Sequence, residues 1–589
     1  MAQYLDASAD RDAQGGVGTG PVAAAEHATA LVVNIDSAVT RALLFDIVEG
    51  APRFVALGSS RSTVLPPYDD AAAGVAAALE QLESDTGRKL RDGERIAMPV
   101  RGNGDGVDAT YVTGTPIPRV RAALISVGQS DLARMLAAAA RRTPTTLTTS
   151  LDALSDGQVA LSPGAIRTWL RATRPSSVVL IYDGGSADDW TTALDAVADA
   201  ARDVAIKQGI VVADDDHQQS AAVELGNTLD LSGIDPAEYD AREIAAALEA
   251  ELRDEYLRRV SGASGMRLLS QAHFVDRTRA FQAVSTFLHR RTQRSVLAVS
   301  IADGSGIYGV IGDEPVSAVR PDLDVGLGAR NLLTFAPELV ARWLPQRASA
   351  EEITEWALNR ALRPFTELET LSDRLIAAAF QREILTRLLA DVGLEPGLPV
   401  NLLSAGPWFA QGDQALALLA LLDGIQPNPP EGLVSLALDA EGLVPAVGAI
   451  ATGDPVYARE VVEQDVLMPL GTCIVVNGSG TEGALAVRGV IKYGTGEERR
   501  FSVPFGSIQR LPLGETESAT LTLEPDPDFA IGNRVPGSSV QLEGGQQVHG
   551  GDLGVVIDAR GRPVVLPVDP ELRMARLKTW IADLGGRVE

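Results

Sequence analysis

The 589-residue chain has a single cysteine, Cys473, and five histidines, His27, His217, His273, His289 and His549, all far apart. One cysteine excludes an internal disulfide and any thiolate cluster for zinc or iron–sulfur. The scattered histidines lack ligand spacing, which argues against a histidine-based metal site. Cys473 lies in the apolar stretch Gly471-Thr472-Cys473-Ile474-Val475-Val476 and reads as a buried strand residue, not a nucleophile. No apolar run approaches the ~20 residues that cross a bilayer. Positive charge is scarce as well: 51 Lys and Arg stand against 78 Asp and Glu, a formal net charge of -27. Such a surface repels nucleic acid and anionic membranes and keeps a protein in solution. Residues 1–28 carry Asp6, Asp10, Asp12 and Glu26 and have no basic segment ahead of an apolar core. They read as a disordered tail instead of a signal peptide, so a cytoplasmic location is expected.

What is present is ample material for several cores, with 45% hydrophobic and 22% charged residues. Leu31-Val32-Val33-Asn34-Ile35 is a short apolar strand that ends in the polar turn Asp36-Ser37. Arg41-Ala42-Leu43-Leu44-Phe45-Asp46 and Arg53-Phe54-Val55-Ala56-Leu57 follow as two more, joined by the Glu49-Gly50 turn. Pro66-Pro67-Tyr68-Asp69-Asp70 stops this sheet, and Asp69 or Asp70 caps a helix to about Thr86. From residue 176 the pattern becomes βαβ: strand 177–182, an Ala-rich helix from Ala187 to about Lys207, and strand 209–213. Strand 296–299, a turn over 302–306 and strand 307–311 repeat the opening theme. Mainly helical sequence leads to a strand at 400–403, the turn Ser404-Ala405-Gly406-Pro407 and a helix from Gln414 to Leu422. From about 466 the chain turns β-rich and reads as a separate barrel or sandwich, closed by a helix near 570–583. The expected division is tail 1–28, first lobe 29–175, an α/β segment 176–294, second lobe 295–465 and a C-terminal β domain 466–589.

Two strand–polar turn–strand units are followed by a strand–glycine turn–helix; each turn alone is an ordinary hairpin more often than a phosphate cradle, and the order and spacing of all three carry the signal. Glycine lets the backbone approach the anion, and small hydroxyls add donors. In this arrangement the chain resembles the two-lobed actin-like ATPases (ribonuclease H-like fold), in which two hairpins face each other across a cleft. Asn34-Ile35-Asp36-Ser37-Ala38-Val39-Thr40-Arg41 resembles the first phosphate hairpin, Asp-x-Gly-Ser/Thr-x-x-Thr-Lys. Ser37, Thr40 and the basic Arg41 fit, whereas Asn34 replaces the acid and Asp36 the glycine. Ser300-Ile301-Ala302-Asp303-Gly304-Ser305-Gly306 resembles the second, Asp-x-Gly-Gly-x-Thr-Thr, with Ser300 in the place of the acid. Ser404 and Gly406 fit the adenosine turn. The resemblance implies that ATP with Mg²⁺ is the cofactor, with Asp36 and Asp303 as relocated metal ligands. A turn-tip aspartate that bonds the following backbone is the plainer alternative for each. Both carboxylates repel a triphosphate unless a cation sits between them.

The chain further resembles the glutamate-mutase-associated MutL (GlmL) proteins, in their long form with an added C-terminal β domain. The blocks that carry this are Pro66-Pro67-Tyr68-Asp69, Leu82 to Arg88, Gly106-Val107-Asp108-Ala109, Val179 to Gly185, Leu421 to Pro427, Val548 to Gly554 and Ile557 to Pro563. The resemblance implies a conformational chaperone or assembly factor whose protein partner is a cobalamin-dependent mutase. Asn34 and Ser300 imply weak or no ATP hydrolysis, so no catalytic residue is assigned. A nucleotide-free scaffold and a bacterial actin-type filament or division adaptor are the other readings. The acidic surface and the short closing helix speak against a membrane adaptor. Asp214-Asp215-Asp216-His217, past a strand end, reads as a helix N-cap run, and Val548 to Asp552 as a tight turn.

Overall fold

The computed structural model describes residues 28–64, 68, 70–114, 120–128, 131–141, 145–149, 163–261, 272–301, 304–320, 322–334, 337–364, 366–410, 413–544 and 548–588. The expected tail, apart from Ala28, lies outside the described residues, as do Pro66, Pro67, Asp69 and Asp303. The chain divides into two compact units, one made of 1–114 with 267–589 and the other of 115–266.

The larger unit contains two sheets of the same order. In the first, β1 (Ala30–Ile35), β2 (Val39–Val48) and β3 (Ala51–Arg61) run antiparallel. β4 (Ala109–Gly114) lies parallel to β1, and β5 (His273–Phe274) parallel to β4, which gives the order β5-β4-β1-β2-β3. β1 is buried along its whole length, as its unbroken apolar run requires. Glu49 and Gly50 both have positive φ and close a tight β2–β3 turn. Helix α1 (Ala71–Thr86), capped by Asp70, packs so closely on β3 that a Cβ at Gly58 would overlap the carbonyl of Ala78.

The second sheet repeats this with β6 (Val296–Ser300), β7 (Ser305–Ile311) and β8 (Glu314–Arg320) antiparallel, then β9 (Leu402–Ala405) and β10 (Leu433–Leu438) parallel. Its order is β8-β7-β6-β9-β10. In each sheet the fifth strand leads into a helix that packs between the two: α2 (Arg277–Thr292) after β5 and α3 (Leu443–Ala451) after β10. A single apolar core joins Val32, Leu43 and Phe45 of the first sheet, Val296, Ala298 and Tyr308 of the second, and Phe281, Val284, Val444 and Val447 of the helices. Two repeated sheets joined by such a helix pair are the lobes of the actin-like ATPase fold.

The C-terminal strands are continuous with the second lobe, although the sequence reads as a separate domain from 466. β11 (Met468–Gly478) pairs antiparallel with β10, and strand Gly554–Asp558 pairs parallel with β11. The reason lies in the two faces of β11. Leu470, Cys473 and Val475 enter the core of the second lobe, whereas Ile474 and Val476 enter the core of the C-terminal β structure. Two of the blocks that carry the family resemblance meet here. Arg560 bonds Asp423 at 2.7 Å and Asp558 at 2.9 Å, and Arg382 bonds the other oxygen of Asp423 at 2.9 Å, all fully or nearly buried. The ring of Trp580 in the closing helix lies 4.7 Å from the Arg560 guanidinium.

The smaller unit is a five-stranded parallel sheet in the order 230–234, 208–212, 177–182, 120–127, 145–149, with helices on both faces. It contains the expected βαβ element. It begins near 115 and not at 176, because strands 120–127 and 145–149 complete the sheet. Asp214 caps the helix Asp215–Leu225, and Nδ1 of His217 lies 2.6 Å from its carboxylate. No helix among the described residues is long and apolar enough to cross a membrane.

The lobes share their core because α2 and α3 cross closely: a Cβ at Gly448 would overlap the carbonyl oxygen of Ala280. Gly448→Ala is therefore expected to cost about 1–3 kcal/mol, the range for forced overpacking. Urea denaturation measures this, and an unchanged midpoint would show that the crossing tolerates a methyl group.

Candidate functional site

The tips of the β1–β2 and β6–β7 hairpins and the start of α2 converge in the larger unit. Asn34 is the penultimate residue of β1, opposite Arg41 on β2 and Thr113 on β4. All three share the strand face whose deeper residues, Val32, Leu43 and Tyr111, line the common core. The turn begins as the amide of Asp36 donates to the carbonyl of Val39 at 3.2 Å. The Asp36 carboxylate is buried, with 3% side-chain exposure. Nδ2 of Asn34 donates to its Oδ2 at 3.0 Å, and Arg41 stands 3.8 Å from the same oxygen. Arg277 reaches the other oxygen at 3.4 Å and also donates to the Ser300 hydroxyl. A single guanidinium thus links the two hairpins.

The remaining expected residues lie around this link. Gly406 bonds its amide to the carbonyl of Val299 at 2.9 Å, and a Cβ there would lie 3.8 Å from the Ser300 hydroxyl, so this turn abuts the second hairpin. Ser404, on β9 opposite Ala298, is buried beneath it. In the second hairpin the amide of Gly304 donates to Asp324 at 3.0 Å and the Ser305 hydroxyl to the carbonyl of Leu323 at 2.6 Å. Gly306 pairs with Ser300 in the ladder. Ser37 is buried at the first tip. Thr40 lies on the opposite face of β2, where its hydroxyl is 3.3 Å from a Cβ built at Gly74 of α1. Asp303 is outside the described residues.

Three acidic residues and one basic residue at this site escape sequence reasoning: Asp276, Asp324, Asp439 and Arg277. Asp276 caps α2 by accepting the amide of Arg279 at 3.1 Å. Asp324 accepts the amides of Gly326 at 2.6 Å and Gly328 at 2.9 Å, and so fixes the loop that supports the second hairpin. Asp439 follows β10 and accepts the amides of Leu443 at 2.6 Å and Val444 at 2.9 Å at the start of α3. The available signal was the repeated order of apolar strand, acid, helix at both lobe ends, visible only once the lobes are aligned. The alignment of Arg277 with Ser300 and Asp36 leaves no local trace.

The site's chemistry is that of an ion-paired, closed cluster. Asp36 lies within 4 Å of two guanidinium groups, which repel a divalent cation at that carboxylate. Asp36 in this arrangement does not fit a magnesium ligand, and no group of three or more His, Cys, Asp or Glu among the described residues fits a metal ion. Asn34 supplies an amide, and its Oδ1 is buried with no hydrogen-bond partner among the described residues. The Cys473 thiol is pushed up to about 12 by burial and is inert as a nucleophile.

No protein-family model matches this chain, and no curated protein matches it. Among solved structures it is similar to the xylulose kinase from Bifidobacterium adolescentis, at 12% identity over 76% of this chain and 96% of that one, with a TM-score of 0.25. It is also similar to a glycerol dehydratase reactivase, at 11% identity over 72% of this chain and 99% of that one, TM-score 0.28. The acetate kinase of Porphyromonas gingivalis is similar at 11% identity over 68% of this chain and 87% of that one, TM-score 0.22. These likenesses are weak, and the fold rests on the strand order of the two sheets.

Burial pushes the Asp439 carboxyl up to about 6 from its ordinary 3.8, against the opposing pull of its amide donors and Arg41. An acid raised in the native state stabilises the fold fully below its unfolded value and loses that contribution as pH rises through the native value. Relative to Asp439→Asn, the wild-type stability is thus expected to fall by up to about 3 kcal/mol between about pH 4 and about pH 7. Paired denaturation curves across that window check this, and a pH-independent difference contradicts it.

Proposed function

We propose that this protein is an actin-like conformational assembly or scaffold factor that acts on a protein partner and does not turn over ATP. The observation that carries the reading is the state of Asp36. The carboxylate nearest the hairpin tip is held by Asn34, Arg41 and Arg277, leaving it neither a cation to hold nor a water to orient. Asn34 and Ser300, at the strand ends where the family resemblance expects acids, support the same reading. The GlmL-like sequence blocks suggest a cobalamin-dependent mutase as the class of partner.

The test is phosphate release by the full chain with millimolar ATP and Mg²⁺. Release at the no-protein background is expected. Metal-dependent release above that background would overturn the proposal; its loss in Asp36→Ala and Asp303→Ala would return those residues to a working metal site, and unchanged release would remove both from it. Nucleotide-dependent pelleting would support the filament reading instead.

A further inference from the structure

We infer that Arg277 is an interlobe latch that sets the separation of the two hairpins. This goes beyond the proposed function, because it concerns what fixes the cleft and holds whether or not nucleotide is turned over. Arg277 is the first residue of α2, the helix that packs between the lobes, and the Asp276 cap fixes where that helix starts. One turn on, the Phe281 ring lies 5.6 Å from the guanidinium and holds it in direction. The side chain is 11% exposed, so its charge has left bulk water.

Both ends of the guanidinium are committed. One nitrogen is paired with Asp36 at 3.4 Å on the first hairpin, and the other donates to Ser300 on the second. A planar fork satisfies both acceptors only over a narrow range of separations. Asp36 is itself fixed by the Asn34 amide, and Ser300 by the β6–β7 ladder opposite Gly306. Parting the two hairpins breaks one of these contacts to a buried charge.

The experiment uses the full chain with nitroxides at Glu80→Cys on α1 and Glu351→Cys on the helix 350–362, both exposed positions on opposite lobes. Cys473 is buried and remains unlabelled. Pulsed electron–electron distances are compared for the otherwise wild-type protein, Arg277→Gln and Ser300→Ala, alongside native-state hydrogen exchange. A latch predicts one narrow distance in the wild-type background. It predicts a shift beyond that width in both variants, with about tenfold or faster exchange at amides 39–41 and 305–307, as loss of a charge-assisted hydrogen bond implies. Unchanged distances and exchange in variants that retain cooperative thermal unfolding would overturn it. Should Arg277→Gln fail to fold, Ser300→Ala decides alone, since it removes the Ser300 hydroxyl and leaves the guanidinium in place.

Discussion

The close crossing of α2 and α3 at Ala280 and Gly448 is the contact on which the larger unit depends. Each helix follows a strand of one lobe yet packs chiefly on the sheet of the other, α2 on β6, β7 and β8 and α3 on β1 and β4, so the two lobes have one core. A larger residue at 448 would separate the helices and with them the lobes. The hairpin tips, which project from the same strands that feed this core, are thereby brought within reach of one arginine side chain. Burial of about ten large apolar groups in a shared core is worth far more than any polar contact at the tips. The core thus brings the lobes together, and the polar cluster adjusts the distance that remains.

That polar cluster differs from a phosphate cradle in charge order. A cradle offers backbone donors and cations to an anion, with carboxylates reserved for a metal. Here the carboxylate at the first tip is already paired with two arginines, and the position at the end of β6 is a hydroxyl that accepts from one of them. The chain meets its own charge requirement without a ligand. The ion pair gives the two hairpins a defined geometry of its own.

Much of the fold was legible in the sequence. The apolar runs and their turns give both hairpins, because a strand buried on both faces must read as an unbroken apolar segment. Asn34 and Ser300 stand out against the resemblance for the same reason: their positions follow directly from the strand ends. The continuity of β11 with the second lobe was not legible, since a strand that divides its faces between two cores reads like any buried strand. Nor was the role of Arg277, which lies 241 residues from Asp36 in the chain. Its position at the start of α2 reads simply as the residue after a helix cap. Long-range charge pairing leaves no periodic trace, and the same holds for Asp423 and Arg560, 137 residues apart.

The most direct test of the closed, ion-paired cleft is a crystal structure grown with millimolar ATP and Mg²⁺. Arg277 is expected on Asp36 and Ser300, with no metal at the Asp36 carboxylate. A triphosphate between the hairpins, with magnesium bound to Asp36 and Arg277 displaced, would contradict it.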